Sequence, residues 1–160
     1  MEEVWKPISD FPGYSVSDEG RVRNDESGRI MAVRVNQNGV AYVGMTRNFV
    51  QLTRGLALLV AEAFIPHRAM LDVPINRDGD RLNCRADNLE WRNHWFAMQY
   101  FKQVKKIDRN HCPVQDLDSG RLYISPLEAA RENGLLEEQI VRAIHNVERT
   151  PYTNQAFDFV

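Results

Sequence analysis

Three groups of residues in this 160-residue chain have types and spacings that could do chemistry. The first lies in Pro74–Ala97, PINRDGDRLNCRADNLEWRNHWFA, where Asn76, Asp78 and Asp80 offer oxygen atoms at alternate positions and His94 follows. Such a run could hold a hard divalent cation, but Gly79 comes too early for an EF-hand loop and no bidentate glutamate closes it. Asp78 and Asp80 therefore read as turn formers whose carboxylates bond nearby backbone amides. A migrated metal site would have to draw on His94 and on His67 in the preceding loop. The second group is basic: Arg21 and Arg23 beside Val22, then Lys102, Lys105, Lys106 and Arg109, all suited to phosphate. The third is Gln139, Arg142 and Asn146, whose side chains can bond base edges.

Periodicity and turn residues indicate the elements that must position these groups. Pro12-Gly13 and Glu19-Gly20 are turns flanking a short alternating strand, Tyr14–Ser17. Arg34 lies beside Val33 as on a half-exposed strand, and Asn38-Gly39 predicts a type I′ hairpin. Between Leu52 and Pro66, Leu56, Leu59, Val60, Ala63 and Phe64 recur at helical spacing, which predicts a buried amphipathic helix stopped by Pro66. The stretch from Pro74 reads as a hairpin closed by Leu89 and Trp91, feeding a helix from Asn93 to Lys106. That helix carries Trp95, Phe96, Met98, Tyr100 and Phe101, and five large apolar residues in seven cannot all face one core. Either it is buried on two sides or part of it is a binding face, with Trp95, Phe96, Tyr100 and Phe101 as candidate protein-binding residues.

Further on, Asp118-Ser119-Gly120 is a hairpin turn, and Ser125-Pro126-Leu127-Glu128 is a capping box with proline at the first helical position. Gly134 ends that helix, and a second runs from Glu137 to Asn146 with Ile140, Val141 and Ile144 inward. A short helix, a glycine-containing turn and a second helix make a helix-turn-helix.

Composition sets bounds. A hydrophobic content of 43% excludes wholesale disorder, and the longest apolar run, Leu56–Ile65, is too short for a membrane span and contains Glu62. The acidic start, MEEVWKP, has no signal-peptide pattern, so a cytoplasmic protein is expected. Cys84 and Cys112 stand far apart with no metal-binding spacing. Charge is uneven: residues 1–50 hold six Lys/Arg against seven Asp/Glu, residues 51–111 ten against seven, and residues 112–160 four against eight. Only the middle segment has the positive excess that duplex binding favours.

The words Asp78-Gly79, Asn83 and Asn88-Leu89-Glu90-Trp91 resemble the HNH (ββα-metal) core of phage homing endonucleases, usually close to VDHxDGNxxNNxxxNLxWVTxxxNM. The flanks carry the resemblance further. The W-K-P-I, F-P-G-Y, V-S and G-R-V-R words are similar to the nuclease-associated modular domain of type four (NUMOD), and S-x-x-E-A-A-R-x-x-G with terminal Phe157 and Phe159 is similar to the type-one repeat. The family's helix before the core usually carries a histidine where Ala57 stands here. The resemblance implies an α+β chain of four parts: a β-rich module over residues 1–50, an HNH-like ββα core over 51–101, a basic linker over 102–113 and a helix-turn-helix module with a flanking hairpin over 114–160. It also implies DNA contacts by Arg21, Arg23, the linker residues Lys102, Lys105, Lys106 and Arg109, and the second-helix residues Gln139, Arg142 and Asn146. Glu137 and Glu138 stand where the family often has Ser or Thr; they suit the helix dipole but repel phosphate.

An HNH centre needs a base to deprotonate water and a divalent ion to stabilise the phosphorane and leaving oxygen. Aligned without a gap, the family's metal carboxylate falls on Ile75, its base on Asn76 and its helix ligand on Ala97. No catalytic residue is intact: isoleucine has no lone pair for a cation, asparagine is not a base near neutral pH, and alanine offers nothing. The expected protein is a catalytically inactive relative, phage-encoded and working in the host cytoplasm. It would bind double-stranded DNA as a regulatory factor, with no cofactor and no membrane partner. Two alternatives stand beside it: a module that binds and inhibits or redirects a host enzyme, and a working nicking endonuclease with relocated ligands, which alone would need a divalent metal such as Mg²⁺.

Overall fold

The structure, a computed structural model, describes residues 2–106, 108 and 111–160, so the candidate Arg109 lies outside the described residues. The chain forms two compact units, the first running to Asn76 and including Asp80–His94, the second made of Arg77–Gly79 and Trp95–Val160.

In the first unit, β1 (Trp5–Pro7), β2 (Tyr14–Ser17) and β3 (Val22–Asn24) form an antiparallel sheet in that order. A second antiparallel sheet holds β4 (Val33–Val35), β5 (Ala41–Arg47) and β6 (Val50–Gly55), followed at once by α1 (Leu56–Phe64). A third, two-stranded sheet pairs β7 (Val73–Asn76) with β8 (Leu89–Arg92), a 3-10 turn at Ala86–Asn88 leading into β8. Alternation drives the arrangement: Ala41, Val43 and Met45 of β5 are buried while Tyr42 and Gly44 are not. They join Phe11, Val16 and Val22 and the α1 residues Leu56, Leu59 and Val60 in one core that also takes in Leu89 and Trp91. Each such fully buried aliphatic side chain contributes about 1.5–3 kcal/mol.

Two sequence expectations change here. The helix predicted from Leu52 begins only at Leu56, because Leu52–Gly55 extends β6 and pairs with β5 in the register Met45↔Leu52 to Tyr42↔Gly55. Cross-strand hydrogen bonding outweighs the helical spacing of the residues that follow. The Asn38-Gly39 turn is also not type I′, since Gly39 has φ +74° and Asn38 does not have a positive φ. The Asn36 side chain accepts from the amides of Asn38 and Val40 (2.9 and 3.0 Å), building an Asx-type loop with a single left-handed residue. The two-residue turn with positive φ at both positions lies instead at Asn48-Phe49 (φ +50° and +63°), joining β5 to β6.

In the second unit, α2 (His94–Val104) precedes an antiparallel sheet in which β9 (Val114–Asp116) lies between β10 (Leu122–Tyr123) and β11 (Phe157–Phe159). The helices α3 (Pro126–Glu132) and α4 (Glu137–Asn146) fall where the capping box and helical spacing place them. Ser125 accepts from the Glu128 amide (3.1 Å), the Glu128 carboxylate accepts from the Ile124 amide (2.7 Å), and Gly134 takes φ +65° after α3. Ala129, Ala130, Leu135 and Ile140 pack with Val114, Tyr123 and Phe157. The buried Gln103 of α2 donates to Leu135 O (2.6 Å) and accepts from Glu137 N (2.8 Å), so it caps α4. Tyr100 donates its hydroxyl toward Arg77 O and Arg131 O, both at 2.9 Å. The fold class is α+β, with several small sheets and four helices among the described residues.

Candidate functional site

The β7–β8 hairpin carries Ile75 and Asn76, two of the three positions onto which the sequence resemblance places nuclease chemistry. Ile75 pairs with Glu90 and is fully buried, and Asn76 pairs with Leu89 and is 3% exposed. The Asn76 amide donates to Asn83 O (2.9 Å), and Asn88 donates to the same carbonyl at 2.9 Å. Asn76 thus acts as a strut across the loop, a role that uses its donor rather than any basicity. The third position, Ala97, lies buried on α2. These residue types do not fit a hard divalent cation, which takes oxygen ligands. Asp80 accepts from the Leu82 amide (2.9 Å), the turn-forming bond its spacing predicts.

His67 lies 3.4 Å from Asp72 and edge-on to Trp91 (5.0 Å between rings), while His94 is exposed at the start of α2. Among the described residues, no three or more His, Cys, Asp or Glu side chains gather where they could hold a metal ion. Cys84 is buried and Cys112 exposed, and both are free thiols.

The basic candidates have different surroundings. Arg21 is paired with Glu3 through two nitrogens, one at 2.8 Å, and this contact holds the Glu3 carboxyl below the usual carboxylate range. Arg23 stacks over Trp5 (4.5 Å) and sits 3.4 Å from Asp25. Lys102 and Lys105 are exposed, although Lys102 lies inside α2 rather than in an extended linker. Lys106 is bonded to Glu137 (2.5 Å). On α4, Gln139 accepts from the Leu136 amide (3.0 Å) and so caps its own helix, whereas Arg142 and Asn146 are exposed. Of the α2 apolar residues, Phe96 and Tyr100 are buried and Phe101 is half-buried. Trp95 and Met98 remain 60% and 48% exposed. A groove of about 490 Å³ runs beside Trp95, Gln99 and Lys102, with Leu136, Glu137 and Glu138 on its other wall.

The most suitable polar surface was not among the sequence candidates. On the outward face of the second sheet, Arg34 lies opposite Tyr42, Thr46 opposite Gln51, and Gly44 opposite Thr53. The Gln51 amide reaches over Gly44, where an added Cβ would come within 3.0 Å of its nitrogen. Arg47 is exposed, and Arg54 stacks over Phe11 (5.4 Å). Among the described residues, neither Arg34 nor Arg47 has a carboxylate partner. A signal for this face existed in the sequence: the 35 residues from Ser27 to Ala61 contain four arginines and no Asp or Glu. Tallying charge over residues 1–50 hid it, because all seven acidic residues of that segment precede Ser27.

Residues 3–46 match the NUMOD4 motif. Over 137 residues the chain is 29% identical to the Uncharacterized HNH endonuclease L245 of Acanthamoeba polyphaga mimivirus, covering 84% of this chain and 41% of that protein. The chain therefore spans less than half the length of this curated relative. The structure of the HNH homing endonuclease I-HmuI, determined for its DNA binding and cleavage, matches with a TM-score of 0.56 and 23% identity, covering 100% of this chain and 98% of that one. The chain is thus similar in sequence to an HNH endonuclease, and its architecture matches the HNH endonuclease fold. No helix among the described residues is long and apolar enough to cross a membrane.

Proposed function

We propose that this HNH-endonuclease-like chain binds duplex DNA without cleaving it and acts as a regulatory or recruitment factor. The observation that carries the reading is β7, where the positions that the resemblance assigns to metal ligand and base hold a buried isoleucine and a buried, loop-bracing asparagine. Neither can activate water or hold Mg²⁺.

The acid-free second sheet supports the DNA-binding half. Its outward face offers Arg34 for phosphate, with Thr46, Gln51 and Thr53 able to donate to or accept from base edges. Arg142 and Asn146 on α4, in the module similar to the type-one repeat, add a second contact region, and Lys102 and Lys105 a third. Arg21 and Arg23 contribute less, because both guanidinium groups already face carboxylates.

Two measurements test this. Supercoiled plasmid incubated with the protein and Mg²⁺ or Mn²⁺ remains intact; nicking that is lost in His94→Ala would overturn the inactive reading. Affinity for a mixed-sequence duplex falls steeply with salt, and Arg34→Ala and Arg47→Ala each lower the slope of log K against log salt by about 1. No detectable binding at low salt would end the DNA reading.

Exposed Trp95, which lines the α2 groove, and exposed Met98 on the same helix favour a second reading, a protein-binding face directed at a host enzyme. Under it, Trp95→Ala with Met98→Ala abolishes retention of a host protein and leaves DNA affinity unchanged.

A further inference from the structure

Phe49 occupies a position that both backbone and solvent disfavour. It is 104% exposed at the tip of the β5–β6 hairpin, and its φ is +63°. A two-residue turn with positive φ at both positions is the usual place for Asn-Gly, because glycine carries no Cβ to clash. Here the asparagine is present as Asn48, but the glycine position holds a large aromatic ring. Residues 46–51 are all exposed, so the hairpin extends past the core that buries Met45. No ring contact holds Phe49 among the described residues. A residue that neither packs nor suits its turn points to a role outside folding.

The surroundings identify the partner. The tip belongs to the acid-free stretch from Ser27 to Ala61, with Arg47 beside it and Arg34 on the neighbouring strand β4 of the same sheet. A positive, acid-free hairpin ending in an exposed phenylalanine is complementary to a polyanion that has apolar layers inside it. Duplex DNA is such a partner: arginine meets phosphate, and an apolar wedge enters between base pairs at a deformable step. We infer that Phe49 is a wedge that the β5–β6 hairpin inserts into the base stack of bound DNA. The inference rests on the DNA-binding reading and adds how the duplex is deformed. It also supplies a basis for site preference without base contacts, since pyrimidine–purine steps unstack most readily.

The test uses the full chain and two 30-bp probes of mixed sequence, one fully paired and one with a single unpaired base at its centre. A wedge prefers the probe whose stack is already broken, so the wild type binds it about tenfold more tightly. In a fully paired probe, 2-aminopurine at a central TA step brightens on binding. Phe49→Gly and Phe49→Asn bring the affinity ratio to about 1 and abolish the brightening, while Phe49→Leu keeps a smaller preference. Phe49→Gly also leaves Tm unchanged or raised, because glycine suits the turn, so loss of function cannot be put down to misfolding. Arg34→Ala weakens both probes equally. Duplex binding with a ratio near 1 that Phe49→Gly does not move would overturn the wedge while leaving DNA binding in place; absence of duplex binding would overturn both. Binding to phosphatidylserine-containing vesicles that is lost in Phe49→Gly, with the DNA ratio unaffected, would place the tip at a lipid surface instead and overturn the proposal.

Discussion

Two hairpins of the first unit each carry a residue that runs against its environment, in opposite directions. The β7–β8 hairpin buries the amide of Asn76, and the β5–β6 hairpin exposes the ring of Phe49. The buried amide is accounted for within the fold, because it donates to Asn83 O. The exposed ring has no such account. A polar group inside is costly unless bonded, and once bonded it belongs to the structure. An aromatic outside at positive φ stabilises nothing in the free protein, which is the ground for proposing a ligand for it. The mismatch between residue and environment is thus resolved within the fold at Asn76 and left unresolved at Phe49.

The largest effect is expected at Asn76. Asn76→Asp places a carboxylate against the Asn83 carbonyl in a buried position and should cost about 3 kcal/mol or more, read as a lowered urea midpoint. Survival of that substitution without loss would mean that Asn76 is not a strut. In the second unit, Gln103→Leu removes the donor to Leu135 O and the cap on Glu137 N, which should cost about 2 kcal/mol and lower thermal stability. Tyr100→Phe should cost about 1 kcal/mol through its lost carbonyl bonds.

The smallest effects are electrostatic. Two Arg149 nitrogens bond Asp118 at 2.9 and 3.0 Å, and this pairing, with the Ala156 amide, holds the Asp118 carboxyl below its ordinary value. A depressed folded pKa means that the contribution is present above about pH 4, the unfolded value, and is lost as pH falls through the lower folded one. Asp118→Asn should therefore lower Tm slightly near neutral pH and converge with the wild type in acid. Glu62 differs in sign: burial and the nearby Asp10 raise its pKa, so Glu62→Gln should raise Tm slightly near neutral pH and lose that advantage in acid.

Much of the second unit was legible because its signals are local. Ser125, Pro126 and Glu128 start a helix by bonds that span three residues, and Gly134 stops it through its own φ. The chemistry of Ile75, Asn76 and Ala97 was equally legible, since the lack of a base or of a strong cation ligand is a property of residue type. The candidate interface was less so. Gln139 has the chemistry to read a base, but its carbonyl is used on the Leu136 amide. Arg21 precedes β3 and Arg23 lies within it, and only the fold brings Glu3 and Trp5 to them.

By itself, the sequence determined the α+β class, the two helices after Ser125, and the residue types at Ile75, Asn76 and Ala97, because each depends on residue identity or short-range bonding. The tertiary structure alone decided that Asn76 is a buried strut, that Leu52–Gly55 is strand rather than helix, and that the paired-positive-φ turn falls at Asn48-Phe49. Those outcomes depend on strand register, which joins residues distant in the chain and is set by which faces the core can bury.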